Sequence, residues 1–376
     1  MAKYVARRMS EDDKIYFLNL YKTGRIDKAN IPMEIFRNDI DSLIELGIYW
    51  EKWDSVYYKD LFGKLEGMSS HSRIDYINGK KFIGWGNVNF IKLPNVFFPH
   101  MWEAKSYSKP SLKTVWNNRD RMIVLLKRFL ADKKVFTAEE KTMKFFRKFM
   151  RSLSGGYFTY NYKPDISKVI YDLYGNRGKI FDFSMGWAGR LVGFLASDAR
   201  EYVGVDVNHK NFKSYRNVVK AYGKKGLGKK KVSFFETPAE DFCPEEYHDY
   251  FDLSFSSPPY FVKEIYSDDP NQHHLRYGDD FETWCDGFLK PMIKNQYKML
   301  KKGGRLIINI ADVTIKTKTY PLERYTVDYA KSIGFIEDEP IYMKINKSPF
   351  MRNKNVNDRT KKELGFKFER VFIFTK

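Results

Sequence analysis

Four consecutive residues, Ser257-Pro258-Pro259-Tyr260, carry the densest chemistry in this 376-residue chain. They follow an apolar run, Tyr250–Phe255, that reads as a buried strand. Prolines have no N–H and fix the backbone, so the carbonyl oxygens here are rigid acceptors beside the Ser257 hydroxyl. An exocyclic amino group on a flat base can donate to such oxygens, which localises its lone pair for attack on a methyl carbon. Tyr260 then offers a stacking face. In an arbitrary loop the string means little; at the end of a fourth parallel strand it is specific.

A second group of residues lies upstream. Asp182-Phe183-Ser184-Met185-Gly186-Trp187-Ala188-Gly189 joins an apolar strand to a helix, a turn that brings backbone close to a ligand and aims helix N–H groups at it. The next strand ends in Asp206, 20 residues beyond Gly186, where a carboxylate can accept both hydroxyls of a ribose. This pairing fits a dinucleotide or S-adenosyl-L-methionine (SAM). Asp182 suits a cationic amino group, which favours SAM, and the G-x-G-x-x-G pattern of dinucleotide sites is absent. Glu240 and Asp241, after the third strand, stand where an adenine amino group would be met. Tyr160, Lys163 and Pro164, before the first strand, could close over the methionine end. Plain alternatives stay open: a tight strand–helix turn for the glycines, solvated carboxylates for Glu240 and Asp241, and an ordinary helix start for Tyr160–Pro164.

These residues need a sheet to position them. Short apolar strands are expected at Lys179–Phe183, Tyr202–Asp206, Val232–Phe235, Tyr250–Phe255, Arg305–Ile310 and Val371–Phe374, separated by helix-sized segments. That alternation predicts an α/β, Rossmann-like, doubly wound sheet with parallel pairing over residues 156–376. Ligands then sit beyond the C-terminal strand ends, near the reversal of strand order. Residues 1–155 read as a mostly helical domain. Helices are expected from Ser10 to Gly24, from Pro32 to Gly47, and over 112–131 and 137–151, the last opened by Thr137 with Glu140 three residues on. A hairpin is expected around Asn78-Gly79, between Ile74–Ile77 and Lys80–Trp85. Helices with a basic hairpin would suit a winged-helix DNA reader, and a helical cap on the next domain fits equally. There is no internal repeat and no low-complexity tract.

Composition narrows the function classes. The net charge is +19, and three blocks hold it: residues 61–156 with 19 basic against 7 acidic side chains, 207–231 with 9 against none, and 341–376 with 10 against 3. Such concentrations favour a polyanion, and nucleic acid over membrane because no block forms a clean amphipathic helix; a basic surface kept for solubility is the bland alternative. No apolar run is long enough to span a bilayer, and the N-terminus lacks a secretory pattern. Cys243 and Cys285 build neither a disulfide framework nor a zinc site, which points to a reducing, cytoplasmic setting. Abundant Lys, Asn, Tyr, Phe and Ile hint at an A/T-rich coding genome, such as that of a phage or other virus.

Residues 157–376 resemble the class I SAM-dependent methyltransferases that modify the exocyclic amino group of adenine or cytosine in DNA. The resemblance rests on Asp182–Gly189, Asp206, Ser257–Tyr260 and Lys302-Gly303-Gly304-Arg305. It implies SAM as cofactor, base flipping, amino-group binding by Ser257 and Pro258, and stacking by Tyr260. A serine at the head of the tetrapeptide is associated in that family with N4-cytosine, an aspartate or asparagine with N6-adenine. The chain departs from the pattern at Phe183, where many relatives carry proline, and at Ala188, where glycine is usual. It also has no evident target-recognition domain after the fifth strand, so specificity would fall to residues 1–155, 261–283 or 345–367. Carbon-5 methylation is excluded, because neither cysteine is placed as the nucleophile. The main alternative is an RNA-base or protein-glutamine methyltransferase. A non-catalytic DNA-binding protein or a dehydrogenase fits the motifs less well.

Overall fold

The computed structural model describes residues 9–49, 51–84, 86–132, 136–226, 230–345 and 366–376. The chain divides into two units, one from residues 1–52 and 99–159, the other from 53–98 and 160–376. Residues 53–98 cluster with the C-terminal unit.

Helices dominate the first unit. Ser10 caps Glu11–Lys22, with the Asp13 carboxylate accepting from the Ser10 N–H at 2.9 Å and the Ser10 hydroxyl accepting from the Asp13 N–H at 3.2 Å. The helix expected over 32–47 is instead a short 3-10 turn, Met33–Phe36, and a helix, Ile40–Leu46, because Asp39 starts a new cap on the Ser42 N–H. The expected 112–131 helix is likewise divided, into Leu112–Trp116 and Arg119–Ala131, with the Asn118 side chain accepting from the Arg121 N–H. The last helix begins at Met143 rather than Thr137. Phe146 and Phe149 pack tilted against Phe129 in the unit's core, with ring centroids 5.2 and 5.5 Å from Phe129.

The second unit holds the sheet. Its strands are β1 (Ile74–Ile77), β2 (Lys80–Ile83), β3 (Lys179–Asp182), β4 (Glu201–Asp206), β5 (Lys231–Glu236), β6 (Phe251–Ser256), β7 (Leu300–Asn309), β8 (Val313–Ile315), β9 (Lys318–Tyr320), β10 (Ile336–Glu337), β11 (Ile341–Ile345) and β12 (Lys367–Thr375). The helices used below are α1 (Ser55–Glu66), α2 (Pro164–Tyr174), α3 (Gly189–Leu195), α4 (His209–Gly226), α5 (His273–Tyr277), α6 (Lys290–Met299) and α7 (Leu322–Ser332). The sheet runs β1-β2-β11-β12-β7-β6-β3-β4-β5, with β10 on β12. From β3 the chain winds outward through β4 and β5, then crosses back to β6 and β7, so the sheet is doubly wound and its strand order reverses between β3 and β6.

Two features differ from the parallel pattern expected. β12 is antiparallel to both β7 and β11. The hairpin β1–β2 is not a free wing: β2 pairs in parallel with β11 through Phe82–Tyr342 and Ile83–Met343. Burial explains this, since Phe82, Tyr342 and Phe368 form a small apolar cluster that only the joined sheet covers. The basic segment expected to contribute to specificity at 345–367 falls, for residues 346–365, outside the described residues.

Candidate active site

β3 and β6 pair in parallel, with Ile180 opposite Leu253 and Phe181 opposite Ser254, so Asp182 and Ser256 both lie at the C-terminal ends of adjacent strands. Asp182 is fully buried. Its Oδ1 accepts from the Ser256 hydroxyl at 2.8 Å and the Ser184 N–H at 3.2 Å. Its Oδ2 accepts from Arg190 Nε at 2.9 Å and the Tyr202 hydroxyl at 2.6 Å. Four donors meet this carboxylate, and the Arg190 guanidinium is its buried counter-charge.

The loop above it is tightly shaped. Gly186 has φ +55°, and Ala188, where a glycine is usual, adopts φ +61° as the residue before α3. Gly189 cannot carry a side chain, because a Cβ would lie 1.9 Å from the Tyr162 carbonyl oxygen. Asn161 clasps this approach: its Oδ1 accepts from the Gly189 N–H at 3.1 Å, and its Nδ2 donates to the Trp187 carbonyl at 2.6 Å. The segment Tyr160–Pro164 is thus fastened to the glycine loop through Asn161, a residue the sequence reading did not single out. Tyr160 is exposed, Lys163 is half-buried, and Pro164 opens α2 at its first position. The Tyr162 hydroxyl is buried with no partner among the described residues.

Asp206 ends β4 beside this loop. It accepts from the Gly186 N–H at 2.8 Å, the Tyr215 hydroxyl at 2.9 Å, the Asn208 N–H at 2.8 Å and Asn211 Nδ2 at 3.2 Å. Burial pushes its carboxyl up to about 6 against the pull of those donors. Glu240 is buried, not solvated: its Oε1 accepts from Arg276 at 2.7 Å and from the Tyr277 hydroxyl at 2.9 Å, both on α5. Burial raises Glu240 to about 7. Asp241 also faces Arg276, at 2.8 Å.

Ser257-Pro258-Pro259-Tyr260 follows β6. Pro258 is buried and the other three are half-buried. The Ser257 hydroxyl lies 3.4 Å from the Tyr260 hydroxyl, which donates to the Asn309 carbonyl on β7 at 3.2 Å. Burial, then the negative charge of Glu369 on β12, drives the Tyr260 hydroxyl well above its ordinary range, so it stays protonated. Glu369 in turn meets Asn309 Nδ2 at 3.5 Å. Immediately after, Phe261 holds φ +52°, a strained value for a bulky residue. Tyr320, Phe281 and Trp284 lock its ring, with centroids 4.9, 5.4 and 5.6 Å away.

The site therefore joins three strand ends: β3 with the glycine loop, β4 with its acid, and β6 with the proline-flanked tetrapeptide. The glycine turn leaves main chain free of side-chain bulk, and Asp206 can offer an acceptor to a hydroxyl when Tyr215 turns its hydrogen to the Gly186 carbonyl. Those residues fit SAM. Arg190, Tyr202, Ser256, Asn309 and Glu369 are further side chains that sequence reasoning missed; all but Arg190, eight residues from Asp182, have partners twenty or more residues away along the chain.

The chain is similar to solved structures of several methyltransferases. One, 1,6-didemethyltoxoflavin-N1-methyltransferase from Burkholderia thailandensis with S-adenosylhomocysteine bound, is 12% identical over 57% of this chain and 77% of that one, with TM-score 0.35. Precorrin-6y C5,15-methyltransferase from Geobacter metallireducens is 14% identical over 53% and 80%, with TM-score 0.30. A SAM-dependent O-methyltransferase from Thermotoga maritima is 12% identical over 61% and 69%, with TM-score 0.33. At these scores the likeness stays general, and the fold assignment rests on strand order. No curated protein matches the chain. No helix among the described residues is long and apolar enough to cross a membrane. Residues 251–375, from β6 through the last strand and one third of the chain, match the family model for DNA methylases of the N6/N4 type, which supports an amino-methyltransferase domain with SAM as its cofactor.

Proposed function

We propose that the protein methylates the exocyclic amino group of a base in DNA, with N4 of cytosine favoured over N6 of adenine by the serine that heads the tetrapeptide. The observation that carries this reading is the Ser256–Asp182 hydrogen bond of 2.8 Å, which ties the start of Ser257–Tyr260 to the foot of the glycine loop. When bound, SAM supplies an electrophilic methyl group on a sulfonium. The protein's own residues do the rest. The Ser257 and Pro258 carbonyl oxygens, stiffened by Pro258 and Pro259, accept the amino hydrogens and orient the lone pair. Tyr260 stacks on a base flipped out of its duplex. Asp206 takes the ribose, Gly186 and Gly189 admit the backbone close to the cofactor, and Ser184 lines that loop. Residues 239–241 border the adenine, and Tyr160, Lys163 and Pro164 border the methionine end.

Charge supports a nucleic-acid substrate. Within the basic block 207–231, α4 exposes Lys210, Lys213, Arg216 and Lys220. In the first unit Arg121, Lys127, Arg128, Lys144 and Lys148 are exposed on its last two helices, which suits a role in DNA recognition. The test is transfer of tritium from labelled SAM into DNA and RNA, followed by nucleoside analysis. Label in N4-methylcytosine or N6-methyladenine of DNA is the expected result. Label in RNA alone would move the substrate to RNA, and label in neither would remove the nucleic-acid reading.

A further inference from the structure

Two side chains of α4 hold the glycine loop and Asp206 as one piece. The Tyr215 hydroxyl lies 2.7 Å from the Gly186 carbonyl oxygen and 2.9 Å from Asp206 Oδ2. Asn211 Nδ2 lies 3.3 Å from the same carbonyl and 3.2 Å from Asp206 Oδ1. Both side chains are buried, Tyr215 completely. The Gly186 N–H closes the ring by donating to Asp206 Oδ2 at 2.8 Å. Neither residue belongs to a motif; each sits a turn or two into a helix whose sequence signal is its positive charge.

The proton count in this ring is short. A phenol has one hydrogen, so Tyr215 cannot donate at once to the Gly186 carbonyl and to an ionised Asp206. Whichever oxygen it serves, the other faces its lone pairs. A proton on Asp206, donated to the phenol oxygen, relieves that conflict. With the acid ionised and Tyr215 serving the Gly186 carbonyl, Asp206 Oδ2 keeps an acceptor position that a ligand hydroxyl can take.

We infer that Tyr215 and Asn211 are positioning residues for the cofactor, aiming the Asp206 carboxylate at a ribose diol and holding the Gly186 turn in register with it. The inference rests on the SAM reading above. Burial places the acid near pH 6, with Tyr215, Asn211, the Gly186 N–H and the Asn208 N–H all pulling it down. Glu236 on β5 stands opposite Asp206 in register and is paired with the exposed His209 of α4, and the charge of Asp182 on β3, itself paired with Arg190 on α3, reaches Tyr215. Removing the Tyr215 hydroxyl deletes one donor to the ionised form, so Asp206 should hold its proton to higher pH.

Calorimetric titration of the full-length chain with SAM between pH 5 and 8 tests this, on the unaltered protein, Tyr215→Phe and Asn211→Ala, with circular dichroism as the check on folding. Affinity of the unaltered protein should fall about tenfold per pH unit below the Asp206 transition, as one proton competes with the diol. Tyr215→Phe should bind about tenfold more weakly at pH 7.5 and move that acid limb upward, and Asn211→Ala should do the same to a smaller extent. Folded variants that keep both the affinity and the position of the limb would overturn the inference. Absence of SAM binding by the unaltered protein at pH 7.5 would instead overturn the cofactor reading, and this inference with it.

Discussion

The Ser256 hydroxyl donates to Asp182 Oδ1 at 2.8 Å, while Arg190 Nε donates to Asp182 Oδ2 at 2.9 Å, all in the fully buried floor between β3 and β6. One carboxylate thereby fixes the distance between the loop that would hold a cofactor and the loop that would hold its substrate. The same carboxylate is the counter-charge of a buried guanidinium, and this makes a sharp stability prediction. Asp182→Asn leaves Arg190 charged and unpaired, which should cost about 3–5 kcal/mol. Urea unfolding monitored by circular dichroism measures it. Arg190→Met added to Asp182→Asn should recover part of the loss, because an apolar side chain of similar size needs no counter-ion. A loss below about 1 kcal/mol in Asp182→Asn would show that the pair is screened by water.

Tyr260 separates ring from hydroxyl in a second prediction. Its hydroxyl is held by the Asn309 carbonyl at 3.2 Å, so on the proposed function the ring, not the oxygen, is the part that would meet a substrate. Tyr260→Ala should lower turnover by weakening base stacking, worth roughly 1–3 kcal/mol per base, with SAM affinity nearly unchanged. Tyr260→Phe keeps the ring and should lose only about 1 kcal/mol of the hydroxyl's anchoring. Steady-state kinetics and calorimetry on the same preparations separate the two quantities. Equal losses of turnover and SAM affinity in Tyr260→Ala would make the ring a structural part of the crevice.

Much of this arrangement was legible from local pattern. Apolar runs broken by helix-length segments marked β3, β4, β5, β6, β7 and β12, and the residues that end β3, β4 and β6 are the ones expected to bear chemistry. Local pattern carries no information about which distant groups complete a site. Asp182 read as an open carboxylate because Arg190, eight residues on, looks like any surface arginine until α3 turns it back onto β3. The hairpin β1–β2 was recognisable as a hairpin, yet its pairing with β11 depends on Phe82 meeting Tyr342, a contact 260 residues apart in sequence. β12 was recognisable as a strand, but its direction is fixed by pairing with β7 and β11, which local pattern does not show.

The acid at the edge of α5 makes a third prediction, on pH. Burial raises Glu240 to about 7 from a usual value of 4.5. A folded-state value above the unfolded one means that the native protein keeps a proton that the unfolded chain releases. Between about pH 4.5 and 7 the native state then binds more protons, so stability falls as pH rises through that window. Glu240→Gln keeps an oxygen for Arg276 and Tyr277 but cannot ionise, and should flatten that part of the curve. Urea midpoints at half-unit steps from pH 4.5 to 7.5 would reveal it. An unchanged slope in the variant would mean that Arg276, at 2.7 Å, already holds Glu240 ionised across the range.

Lys213, Arg216 and Lys220 follow at spacings of three and four along α4 and are all exposed, so they lie along one face of that helix. A phosphate backbone lying along that face would release counterions, with log affinity falling by about 0.9 per phosphate contact for each tenfold rise in salt. Replacing all three by alanine should lower duplex affinity at low salt and reduce the salt slope by about two to three. SAM affinity and thermal unfolding should be unaffected, because none of the three approaches Asp206 as Asn211 and Tyr215 do. Fluorescence anisotropy of a labelled duplex between 50 and 300 mM salt, with and without the substitutions, reads both terms. A weakened but equally steep dependence would place the phosphate contacts elsewhere in the chain, and a dependence that is flat before any substitution would make the charge on α4 a matter of solubility.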